Sequence, residues 1–133
     1  MTGVELIAAD GRTLAYVIRA DFRPAETSFP TGPELNLQVG YVVYPAGGEV
    51  ARHTHTPVER RIVGTAEVIV VREGRCELDV YDDDHELVAT RELRVGDVML
   101  MVGGGHAFRM LEPTVLLEVK QGPYGGVEEK ERF

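Results

Sequence analysis

Apolar and polar positions alternate with a period of two along most of this chain, and side chains two apart on a strand share a face. Residues 4–8 and 13–18 are apolar runs separated by Asp10-Gly11, which predicts a hairpin. Residues 22–33 hold three prolines with Thr27, Ser28 and Gly32, so this stretch is expected to be a loop crossing the body. Residues 35–44 predict a strand, with Leu35, Leu37, Val39 and Tyr41 set against Asn36, Gln38 and Gly40. Pro45-Ala46-Gly47-Gly48 then turns the chain into a strand carrying His53 and His55. Residues 67–71 are apolar and β-branched after Glu67, and predict a buried strand. The turn 72–75 and a return in which Cys76, Leu78 and Val80 alternate with Glu77, Asp79 and Tyr81 predict a hairpin with one wet face. Residues 87–93, 98–102, 106–110 and 114–119 read as further strands, and the tail 125–133 is expected to fray or to pack on a neighbour. Short strands punctuated by glycine and proline turns indicate an all-β sandwich or barrel.

The candidate chemistry lies in two stretches. His53 and His55 are two apart, so one strand face could offer both imidazoles to one ion. Glu67 opens a buried strand and could face the same interior. Gly103-Gly104-Gly105 delivers His106 onto a strand where His106, Phe108 and Met110 share a face, with Arg109 opposite. Three histidines and a carboxylate suit a divalent first-row ion: iron, manganese, nickel, copper or zinc. Burying several ionisable groups without such a partner is costly. Cys76 belongs to an apolar set and reads as a small buried hydrophobe. The acidic turn Asp82-Asp83-Asp84 lacks the glycine and ligand spacing of a calcium loop, and His85 reads as exposed with it.

At these residues the chain resembles the cupin superfamily. The first cupin motif is matched by Gly47, five residues, His53-Thr54-His55, then Glu67, six residues and Gly74. The departure is the gap of eleven residues between His55 and Glu67, so residues 56–66 read as an insertion. Glu59 sits at the family's shorter distance but lacks the glycine seven positions later, and Glu67 is preferred. The second motif is looser: Gly96 is present, Val102 replaces a proline, His106 arrives one position early and Met110 stands where asparagine is frequent. The resemblance covers roughly residues 35–122 and implies a conical jelly-roll barrel, the double-stranded β-helix, with the site inside. It also implies a homodimer formed through outer strands, for which the opening hairpin could supply an exchanged edge.

The 133 residues are expected to form one domain, with a hairpin and crossing loop at 1–34, the barrel at 35–122 and a tail at 123–133. A net charge of −8 argues against nucleic acid or an anionic membrane surface as partner. A single cysteine, with neither a signal peptide nor an apolar span, points to the cytoplasm. The inserted segment 56–66 reads as a solvated loop or as a cover placing Arg60 or Arg61 over the barrel mouth to hold an anionic substrate group. Tyr41, Tyr44, Phe108 and Met110 are candidate pocket walls. The leading expectation is an enzyme with a mononuclear metal held by His53, His55 and His106, with or without Glu67, acting on a small organic molecule as an oxygenase, isomerase or lyase. The alternatives are a non-catalytic barrel binding a sugar-like ligand and a metal-free enzyme of the sugar-nucleotide epimerase kind.

Overall fold

Asp10 and Gly11 both take left-handed backbone, with φ of 51° and 75°, the geometry that a two-residue hairpin turn demands. Strand β1 (Val4–Ala9) accordingly pairs antiparallel with β2 (Arg12–Ile18). The computed structural model describes residues 2–123 and 125–133. Among these, six further strands follow: β3 (Glu67–Glu73), β4 (Arg75–Tyr81), β5 (Leu87–Arg94), β6 (Val98–Met101), β7 (Gly105–Met110) and β8 (Val115–Lys120). They form two antiparallel sheets, one ordered β1-β2-β6-β3-β8 and the other β5-β4-β7. The all-β expectation therefore holds.

The alternation read from the sequence sets which face of each strand is buried. Cys76, Leu78 and Val80 on β4 are fully buried, and they meet Leu93 of β5 and Ile69, Val71 and Met99 of the larger sheet in one core. The hairpin expected across residues 72–75 is not formed, because β3 and β4 lie in different sheets. Gly74, at φ 82°, turns the chain from one sheet to the other, and a Cβ there would stand 2.2 Å from the Pro113 carbonyl oxygen. Periodicity fixes the buried face of a strand but does not name its neighbour, and this corner decides it.

Asp97 fastens the corner before β6. Its carboxylate accepts the backbone N–H groups of Ala20 and Arg94, each at 2.8 Å, and pairs with Arg19 at 3.1 Å. The Gly96-Asp97 pair is thus a structural clamp, and the buried Asp97 side chain is satisfied.

Two expected strands are absent. Residues 35–44 contain no ladder beyond an isolated bridge between Ser28 and Tyr41, and His53 and His55 lie in irregular chain outside both sheets. An extended segment becomes a strand only where a neighbour accepts its backbone hydrogen bonds, and these residues have no such neighbour. The tail also differs from expectation: it packs on its own chain, with a short 3₁₀ turn at Gly126–Glu129 and Phe133 set edge-on against Tyr81 at 5.0 Å. No helix among the described residues is long and apolar enough to cross a membrane.

Candidate functional site at the open edge of the sandwich

Glu67 begins β3 on the same face as Ile69 and Val71, so its carboxylate points into the sandwich and its side chain is only 13% exposed. His106 lies on β7 opposite Val80 of β4, which turns its imidazole inward as well. The two meet across the sheets, with Nε2 of His106 3.8 Å from Oε1 of Glu67. Phe108, two residues on, packs edge-on to His106 at 5.8 Å and rests on the core, while Met110 shares that face but is half exposed.

The sequence reading missed the rest of this cluster. Register places Glu118 opposite Ile69 and Lys120 opposite Glu67, so both face inward from β8. Lys120 is held by Glu129 at 2.8 Å, and the N–H of Gly125 donates to the same carboxylate at 3.0 Å. The signal was present: in Val115-Leu116-Leu117-Glu118-Val119-Lys120 the charged residues fall in step with Leu116. What the pattern lacked was a reason to prefer that face as the inner one.

Electrostatics follow from this grouping. Burial first, then the hydrogen bond and like charge of Glu118, push Glu67 up to about 7, against the pull of Lys120 and Lys130. Burial lowers His106 below the ordinary histidine value, with Glu118 opposing, so the neutral imidazole is favoured near neutral pH.

The other candidate residues lie elsewhere. His53 and His55 stand 5.1 Å apart, ring to ring, in a segment exposed from residue 42 to residue 65. His53 Nδ1 sits 2.7 Å from the carbonyl oxygen of Ala51 in that same segment. Glu59, Arg60, Arg61 and Tyr44 are exposed in it too, while Tyr41 packs edge-on against Phe22 at 5.1 Å. Among the described residues, no group of three or more His, Cys, Asp or Glu side chains is gathered closely enough to hold a metal ion. The structure brings Glu67, His106 and Phe108 together and leaves His53 and His55 apart from them.

A cleft of about 340 Å³ opens where the segment rejoins the body at residues 62–66, and one of about 520 Å³ lies by Arg19 and Asp97. Neither is lined by Glu67 or His106. No protein-family model, no curated protein and no solved structure matches the chain.

Proposed function

We propose that this chain is a small metal-binding jelly-roll barrel of the cupin kind, and an enzyme acting on a small organic molecule as an oxygenase, isomerase or lyase. The observation that carries this reading is the inward pair Glu67 and His106 at the end of an otherwise apolar core. Both resemble ligands of the cupin motifs, and they face each other at 3.8 Å. The donor set fits a divalent cation. His106 is favoured in the neutral form that binds metals. Glu67 is held back from ionising by burial and by Glu118, a cost that a nearby cation would reverse.

His53 and His55 would complete the ligand set with Glu67 and His106. The ion, which could be iron, manganese, nickel, copper or zinc, would supply Lewis-acid or redox chemistry at positions left open by the protein. Phe108 and Met110 would wall the site and exclude water. Lys120, fixed by Glu129, would orient an anionic group of the substrate.

Elemental analysis of protein purified without added metal or chelator tests the reading. We expect about one transition-metal ion per chain, lost in the His53→Ala,His55→Ala variant. Glu67→Gln should lose the ion and Glu59→Gln should keep it; the reverse would move the carboxylate ligand to Glu59. An ion bound tightly with no turnover on any small substrate would favour the ligand-binding barrel.

The position of Glu67 favours a second reading. A carboxyl titrating at about 7 beside a neutral histidine is suited to general acid–base chemistry without a metal. Absence of metal after purification and after reconstitution, combined with a Glu67-dependent activity, would establish it.

A further inference from the structure

Strands β7 and β8 each pair on one side only, and both close the same side of the sandwich. Among the described residues no second strand pairs with either, and the outer face of β8 exposes Val115, Leu117 and Val119 at 49%, 44% and 52%. Bare, apolar edges of this kind are templates for another strand. The same chain holds an unused strand-forming arm. Residues 42–65 are exposed throughout, yet Val42, Val50 and Val63 in it are 64%, 57% and 81% exposed. In residues 49–55 the period of two puts Ala51, His53 and His55 on one face.

The arm is tied to its own body at the point where it leaves. Val43 is tied to Thr27, whose hydroxyl accepts its N–H at 2.9 Å, and Tyr41 is bridged to Ser28. Among the described residues, the hydrogen bonds of residues 44–65 stay within the arm: Gly48 N–H to the Pro45 carbonyl and His53 Nδ1 with the Ala51 carbonyl. The arm carries three arginines and two glutamates, a net +1. The residues outside it hold 11 of the 14 basic and 20 of the 22 acidic residues, a net −9. The arm therefore suits the acidic body of a second copy in charge, in apolar surface and in strand pattern.

We infer that two copies exchange arms, residues 49–55 of each forming a strand on the free edge of the other's β7. His53 and His55 of one copy then join Glu67 and His106 of the other. The exchange is isologous, so one two-fold axis completes two sites, each built from both chains. The opening hairpin offers only the outer edge of β1, because β2 lies between β1 and β6, and it carries no histidine to complete a site. The exchange rests on strand edges alone, and only the chemistry of the completed site rests on the metal reading.

Two measurements test it. In the first, His53→Ala,His55→Ala and Glu67→Gln,His106→Ala chains are co-refolded and titrated with Co²⁺ alone. Exchanged arms give each mixed dimer one intact site, hence about a quarter of an ion per chain in a statistical mixture, where either variant alone gives none. No recovery, with wild type binding Co²⁺ fully, overturns the exchange. In the second, Val50→Cys is labelled with a benzophenone maleimide and illuminated; Cys76 is fully buried and escapes the label. A covalent dimer whose adduct maps to β7 or β8 is expected. Adducts within a single chain, or dimers joined elsewhere, overturn it. If the covalent dimer forms while wild type takes up no Co²⁺, the metal reading fails and the exchange stands.

Discussion

On the β1/β5 side, Arg91 reaches across from one sheet to the other and grips both carboxylate oxygens of Glu5, its Nη2 at 2.6 Å from Oε2. On the β7/β8 side no strand among the described residues lies alongside either edge, and a charged cluster of Glu67, His106, Glu118 and Lys120 gathers there. Both sides are built from alternating strands of similar length, so regularity does not distinguish them. The difference is in what satisfies the inward polar groups. One side is closed by a bidentate ion pair between the two sheets, whereas on the other Lys120 is held by Glu129 of the tail and Glu67 meets His106 at 3.8 Å.

The largest test of this contrast is in the core behind the closed side. Leu93, on β5, is fully buried, and Leu93→Ala should cost about 2–5 kcal/mol in urea unfolding. Next is the clamp at Asp97. Asp97→Ala removes the acceptor of the Ala20 and Arg94 N–H groups, both part-buried bonds, and should cost about 1 kcal/mol in the same assay.

The two sides should also differ in sign with pH. The hydrogen bonds from Arg91, followed by its charge and opposed by burial, hold Glu5 below its ordinary 4.5. That contribution is complete above pH 4.5 and is lost as the pH falls through the lowered value. Because the pair is partly exposed, Glu5→Gln should remove about 1 kcal/mol or less of stability, and only at the higher pH. Glu67 runs the other way. Raised to about 7, its contribution is complete below 4.5 and is lost as the pH rises through about 7. Metal-free wild type should therefore weaken between these values relative to Glu67→Gln. Equal slopes for the two proteins, in urea titrations across that window, would remove Glu67 from the buried cluster.

The smallest effect is expected at the open edge itself. Leu117 is 44% exposed on the outer face of β8, so Leu117→Ala should change the stability of a dilute, monomeric sample by about 0.5 kcal/mol or less. A loss that grows with protein concentration would show the edge to be covered by a second copy. A large loss at every concentration would mean that the edge is covered within the chain.

Where the sequence reading succeeded, the information was local. The Asp10-Gly11 turn, the buried face of β4 and the common face of His106, Phe108 and Met110 each follow from a period of two or a backbone angle, and both are set within a few residues. Where it went astray, the decision was non-local. The alternation in 35–44 was real, yet no ladder formed, and the glycine turn at Gly74 joined two sheets where it had suggested a hairpin. Glu118 and Lys120 went unnoticed because their face became the inner one only through pairing of β8 with β3.

The sequence by itself determined an all-β chain, most of its strand limits, the buried set of β4 and the shared face of His106, Phe108 and Met110. Tertiary structure alone decided which strands became neighbours, which edges stayed bare and that His53 and His55 stand apart from their expected partners. The physical reason is that side-chain alternation is written into each strand, whereas backbone hydrogen bonds need a second strand, and its identity depends on the geometry of the whole fold.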